Sequence, residues 1–313
     1  MEIRNIQDNE LAGFINIWKQ VFGDSDKWLD MYTKSYLDYA KAFAAFEDGK
    51  MVSILSYYEH KGLFDEAGNN LGQVPTTYAG ATPVKYRGHN YFMQIMSHIM
   101  GLCEKNGCLG IGIMPAEESL FTLYEDRFSY KSYFTATVIN ASSGDLTPWE
   151  YEMDVDRRPT LNVISGPKYN QLREKILKGH AHLAFTNEQI KFVKDSSMLT
   201  GGNLFEIKGL SETSLACVER ISNKEVRITE LLVAPKDLKD AVALIRREFH
   251  GDRYEIRLGD WMMQDGHVLG IDADDLSLQS DTFDVSTQTM GMIKQVDVEA
   301  VLPESAYAGF IFD

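Results

Sequence analysis

Residues 1–6 alternate apolar and polar side chains in the manner of a short strand, and Asp8-Asn9-Glu10 then reads as a helix start. Leu11, Phe14, Ile15, Trp18 and Phe22 follow at helical spacing, and a second helical stretch covers residues 28–39. Residues 42–46 and 51–58 flank the turn Glu47-Asp48-Gly49-Lys50 and predict a hairpin, after which the chain loops through residues 62–70. A strand over residues 73–83 ends at Ala79-Gly80-Ala81-Thr82-Pro83, and Tyr86-Arg87-Gly88-His89-Asn90 turns it into the apolar helix 91–103. Asn106-Gly107 stops that helix and residues 108–114 make a buried strand. Pro115 opens a helix that reaches Tyr124, and residues 130–140 return as a strand.

Residues 141–148 are mostly small and polar and carry Gly144 and Pro148, which is the composition of a linker. Beyond them the order of elements recurs. A helix lies within 167–193, strands at 204–208, 215–221 and 225–234, a helix at 236–249 and a strand at 254–258. A duplication explains this economically, and 313 residues accommodate two domains, placed at 1–143 and 150–313. Residues 290–296 and 306–312 predict a closing antiparallel pair. The expected class is therefore α/β, with two mixed-sheet halves.

Composition narrows the setting. Hydrophobic residues make up 44% of the chain and charged residues 25%, the balance of a water-soluble globular protein. The amino terminus turns polar within a few residues and no apolar run approaches the ~18 residues of a spanning helix, so neither signal peptide nor membrane anchor is expected. Cys103, Cys108 and Cys217 are an odd count that suits reduced, buried thiols in the cytoplasm. A formal net charge of −15 repels polyphosphate backbones and argues against nucleic acid as a partner; it could steer a cationic amine instead. Nothing in the pattern decides the oligomeric state.

The junction at residues 79–92 carries the chemistry. A strand delivered into a Gly-containing turn and then a helix aims backbone N–H groups and the positive end of the helix dipole at one spot, which suits a diphosphate. Gly88 lets the backbone approach an anion, Arg87 adds charge, and His89, Asn90, Tyr91 and Phe92 supply helix-start donors. The second half has the matching strand and proline at Leu231-Leu232-Val233-Ala234-Pro235 but no Arg-Gly turn, so no phosphate site is expected there.

Pro83-Val84-Lys85-Tyr86-Arg87-Gly88-His89-Asn90-Tyr91-Phe92 resembles the acetyl-coenzyme A motif of the GCN5-related N-acetyltransferase (GNAT) superfamily, Arg/Gln-x-x-Gly-x-Gly/Ala. Asn90 stands where the family usually has glycine and Phe92 where it prefers glycine or alanine. Leu123-Tyr124-Glu125-Asp126-Arg127-Phe128-Ser129-Tyr130 is similar to the segment that ends in Leu-Tyr-x-x-x-Gly-Phe in that family, with Ser129-Tyr130 in place of Gly-Phe. The tandem order looks like the Eis-like group. The resemblance implies a tandem GNAT (acyl-CoA N-acyltransferase) fold with a degenerate second half. It also implies acetyl-CoA as co-substrate and transfer of acetyl to a primary amine of a small molecule, peptide or lysine.

By the same resemblance, backbone groups of Ala79, Gly80, Ala81 and Thr82 meet the pantetheine arm, and Tyr124 matches the general acid. A phenol near its ordinary pKa of ~10 suits that role because it stays protonated and can donate to a departing thiolate. A base must also drain the ammonium proton, and Glu59, Glu117 and Glu118 are candidates; the family resemblance adds the carboxyl terminus at Asp313. Phe14, Trp18, Trp28 and Tyr32 are candidate pocket walls. His180-Ala181-His182 and Asp272-Ala273-Asp274-Asp275 lack the companions of a metal site, and none is expected. Two alternatives stay open: a non-catalytic binding or regulatory protein on this fold, and an aminoacyl-tRNA-dependent peptidoglycan aminoacyltransferase.

Overall fold

Asp48 and Gly49 take φ of 49° and 75°, the positive values that let a two-residue turn join strands without opposing their twist. They connect β2 (Ala42–Glu47) to β3 (Lys50–Tyr58) in the expected hairpin, with Glu47 opposite Lys50. The computed structural model describes residues 1–153, 158–264, 267–268 and 284–309. β1 (Glu2–Asn5) lies antiparallel on β2, and the helices between them, α1 (Leu11–Val21) and α2 (Asp26–Ser35), cover one face of the sheet. Because side chains alternate along a strand, Ala42, Ala44 and Phe46 pack with Phe14, Trp18 and Tyr32 on that face. Phe43 and Ala45 turn the other way, onto Ile95 and Ile99 of α3 (Tyr91–Lys105).

The first half continues through β4 (Gly62–Phe64), β5 (Asn70–Gly72), β6 (Thr76–Ala81), α3, β7 (Gly110–Ile113), α4 (Glu118–Phe128) and the long β8 (Lys131–Ser142). The second runs α5 (Thr147–Glu152), β9 (Thr160–Val163), α6 (Gly166–Ile176), β10 (His182–Ala184), α7 (Asn187–Leu199) and β11 (Asn203–Lys208). β12 (Ser214–Arg220), β13 (Glu225–Leu232), α8 (Leu238–Glu248) and β14 (Arg253–Leu258) follow. The short pair β15 (Met263–Gln264) and β16 (His267–Val268) precedes β17 (Asp284–Gln295).

One 12-stranded sheet runs through both halves in the order β1-β2-β3-β6-β7-β17-β8-β14-β13-β12-β11-β9. Its centre is a strand exchange. β8, the strand that follows the first half's α4, pairs with β14 of the second, while β17 crosses back to pair with β7 of the first. β8 and β17 also pair with each other, so the two halves are joined by continuous backbone hydrogen bonding. This overturns the expected pairing of residues 290–296 with 306–312: Met292 stands opposite Ile113 and Ser132 instead. Ala306 and Tyr307 make single bridges to Phe134 and His182, and Asp313 lies outside the described residues.

Three further expectations change. The loop at residues 62–70 contains β4 and leads into β5, and β10 of the second half completes a three-stranded sheet with them. The single helix foreseen within 167–193 is α6 and α7 with β10 between them. The linker-like segment ends in α5, whose Trp149 is buried against Val226 and Ile228. A buried ion pair fastens the second half: Arg173 Nε donates to Glu230 at 3.0 Å, while its Nη1 and Nη2 reach the carbonyls of Leu183 and Ala308, each at 3.2 Å.

Candidate active site

β6 and β7 run parallel but form a ladder only where Thr76 faces Gly112. The approach there is close, since a Cβ on Gly112 would stand 2.8 Å from Thr76 Cγ2. Past this point no ladder joins the two strands and a gap opens. On the other edge of β6 the register with β3 slips between Ile54–Ala81 and Ser56–Tyr78, placing both Ala79 and Gly80 opposite Leu55. That is a bulge, and Ala79 accommodates it at φ 56°. Ala79 and Gly80 both line a cavity of about 570 Å³.

At the end of β6, Arg87 Nε donates to the Thr82 carbonyl at 3.1 Å, folding the turn back on the strand. Gly88 has φ 84° and open space where a side chain would stand. Asn90 caps α3 from the left-handed region, φ 61° and ψ 21°, with no side-chain hydrogen bond to the helix start. Asparagine tolerates this backbone better than other residues with a Cβ, which explains why it can stand at the family's glycine position. The first N–H groups of α3 are therefore not capped by that side chain. His89 stacks on Tyr91, whose hydroxyl donates to Glu47.

Phe92, the second residue of α3, lines the same cavity. A Cβ on Gly80 would meet its ring at 2.5 Å, so glycine at position 80 makes room for the phenylalanine. Tyr124 closes the same wall, with its ring centroid 6.2 Å from that of Phe92 and 5.9 Å from that of Tyr130. It is 7% exposed, and burial pushes its phenol up to about 12.

The cavity extends beyond this gap. Trp18, Phe22, Asp24 and Tyr78 form one side, and Gln288, Thr289 and Met290 of β17 carry it across to Arg257 and Arg227. Asp24 Oδ2 accepts from Trp18 Nε1 at 2.7 Å. Glu255 Oε1 accepts from Arg257 Nε at 2.7 Å and pairs with Arg227 Nε at 3.0 Å.

Residues 2–128 match the family profile of the acetyltransferase (GNAT) domain. They form a GNAT acetyltransferase domain. Solved structures extend the likeness of fold over nearly the whole chain. A GCN5-related N-acetyltransferase from Kribbella flavida superposes with a TM-score of 0.66 at 11% identity, covering 97% of this chain and 74% of that one. Another from Anabaena variabilis gives 0.67 at 14% identity, over 95% and 73%. Eis1 from Mycobacterium abscessus gives 0.62 at 12% identity, over 96% and 75%. No curated protein is a match in sequence.

The structure brings Ala79, Gly80, Phe92 and Tyr124 to one cavity and sets Arg87 to Asn90 at the α3 start beside it. Ala81 is buried at the end of β6, and Thr82 bonds Ser53 Oγ at 2.8 Å behind it. Glu59 and Glu117 do not join them: Glu59 pairs with Lys41 at 2.8 Å, and Glu117 stands exposed ahead of α4, as does Glu118 in its first turn. Of the expected walls, Trp18 lines the cavity, while Phe14 and Tyr32 are core and Trp28 donates to Ser196 Oγ. Asp24, Arg227 and Arg257 escaped the sequence pattern, because charged residues on a loop and on strands read there as solvated surface.

In the second half, the start of α8 holds Asp237, fully buried, which accepts from the Ser211 N–H at 3.0 Å and from the Ser211 hydroxyl. A carboxylate of the chain itself thus sits at that helix start, where a diphosphate would meet a like charge. His182 stacks on Phe64 and lies 3.4 Å from Glu174, and His180 stacks on Trp261; residues 272–275 lie outside the described residues. Among the described residues no group of three His, Cys, Asp or Glu could hold a metal, and no helix is long and apolar enough to cross a membrane. All three cysteines are free and buried.

Proposed function

We propose that the chain transfers an acetyl group from acetyl-CoA to a primary amine, with residues 1–143 as the transferase domain and 150–313 as a second GNAT-like half without a coenzyme site. One observation carries this reading: the bulged, unladdered stretch of β6 and the buried phenol of Tyr124 face the same cavity, beside a helix start that no side chain caps. The open space at Gly88 and the left-handed Asn90 fit a diphosphate at the α3 N-terminus, and Arg87 adds charge there. Ala79 to Thr82 would flank the pantetheine arm.

Bound acetyl-CoA would supply an activated thioester carbonyl. The amine nitrogen forms the new C–N bond and the C–S bond breaks. Tyr124, protonated at every physiological pH, holds its proton for the departing sulfur and regains one from solvent. The proton lost by nitrogen goes to Asp24, the carboxylate that lines the cavity, directly or through water. Glu59 and Glu117 do not line the cavity, and Glu59 is paired with Lys41.

Phe92 against Gly80 favours a second reading, the same fold kept for binding without transfer, because the ring narrows the gap the thioester must enter. Calorimetric titration with acetyl-CoA, with Gly88→Glu as control, separates the two. Saturable binding lost in the variant supports the transferase, and no binding by the wild type removes it.

A further inference from the structure

The cavity does not end with the transferase domain. Through the strand exchange it passes over β17 and reaches β14 and β13, where Arg257 and Arg227 complete its lining. Arg227 stands directly opposite Glu255 on the neighbouring strand, and Arg257 lies two residues beyond Glu255, on the same face of the sheet. Glu255 Oε1 accepts from Arg257 Nε and forms an ion pair with Arg227 at 3.0 Å, so one carboxylate holds both guanidiniums beside it. The Arg257 side chain is only 8% exposed. Asp24, Arg227 and Arg257 are the charged residues among those described in the lining, so a chain with a net charge of −15 places two cations at one end of its cavity and a carboxylate at the other.

We infer that the acceptor is bifunctional: an amine at the Asp24 and Tyr124 end and an oxyanion, carboxylate or phosphate, held by Arg257 and Arg227. This rests on the transferase function proposed above. Planar guanidinium forks match oxyanions, and an arriving anion would share their donors with Glu255 and the arginines' other partners. β14 lies three strands from β7, the strand that borders the gap, which at ~4.8 Å per strand sets the Arg257 strand on the order of 14 Å from the gap, less the reach of the arginine side chain. That scale suits a medium-chain ω-amino acid, an ω-aminoalkyl phosphate, or a short peptide with an acidic group better than a compact α-amino acid. The second half then contributes specificity while lacking a coenzyme site of its own.

The test compares 8-aminooctanoate, its amide and an aminoalkyl phosphate of equal length as acceptors, following thiol release from acetyl-CoA. A parallel calorimetric titration uses N-acetyl-8-aminooctanoate and its amide, which need no turnover. The wild type should favour the anionic members by ~10–100-fold in KM and in product affinity, the range of a charge-assisted fork. The better of carboxylate and phosphate names the anion. Arg257→Gln and Arg227→Gln should each erase most of that preference while kcat and acetyl-CoA affinity stay within about twofold; Arg257→Lys should restore part of it. Equal KM and equal product affinity for acid and amide in the wild type overturn the arginine assignment, as does a loss of acetyl-CoA affinity in the glutamine variants. The wild-type comparison decides even where a variant fails to fold. Absence of acetyl-CoA binding, by contrast, overturns the transferase reading itself.

Discussion

Replacing Tyr124 by phenylalanine removes one oxygen and leaves the ring among Phe92, Phe128 and Tyr130. Burial alone raises its pKa to about 12, so at pH 10, where an exposed phenol is half ionised, Tyr124 is only about 1% ionised. The wild-type kcat should therefore show no descending limb between pH 7 and about 10 from this residue. A thiolate of ordinary pKa ~8.5 leaves more readily than an alkoxide, so the loss in Tyr124→Phe belongs at the low end of general-acid effects, ~100-fold or about 2.7 kcal/mol. Single-turnover thiol release from pH 7 to 11, with calorimetry for acetyl-CoA, measures both quantities. The expected result is a slower step at unchanged affinity. Equal single-turnover rates in wild type and variant would refute the acid role. A limb near pH 10 that disappears in the variant would refute the argument from burial.

Gly88→Glu should weaken acetyl-CoA binding by more than ~100-fold in calorimetry, since it sets a like charge in the cradle, and a non-glycine residue at φ 84° costs about 1 kcal/mol of stability as well. Asp24→Asn should lower kcat/KM at pH 7 by ~10-fold or more, whereas Glu59→Gln, outside the lining, should stay within about twofold; the reverse order in steady-state assays would dismiss Asp24. His60 is buried between Thr76 and Gln189, and burial pushes its imidazole down to about 3. Its ordinary unfolded value is ~6.5, so the unfolded chain binds the extra proton more readily, and stability present above pH 6.5 is lost as pH falls toward 3. Urea unfolding at pH 6.5 and 4.5 should therefore cost the wild type about 2–3 kcal/mol more than His60→Gln. Glu230→Gln leaves the buried Arg173 without its counter-charge and should destabilise the fold by about 3–5 kcal/mol in urea titration.

Local physics wrote much of this protein into its sequence. The hairpin turn at Asp48-Gly49, the helix periodicity from Leu11 to Val21 and the strand-turn-helix at residues 76–105 each depend on neighbours within a few residues. They were legible for that reason. The turn at residues 86–90 is local too: Gly88 and Asn90 both take positive φ. Tyr124 was legible through its segment, although its raised pKa comes from the packing around it. What the sequence did not determine is everything set by distant partners. β17 and β8 are strands by propensity, but which strand each pairs with depends on competition among several exposed edges, and the exchange across the halves appears only once the whole sheet is assembled. Asp24, Arg227 and Arg257 lie far apart in the chain and share a cavity because that exchange brings the second half over β17. Local pattern therefore determined the elements and the glycine turn before α3, while tertiary structure decided where the cavity ends and which charges it holds, because a strand edge can hydrogen-bond any partner and only the assembled core selects one.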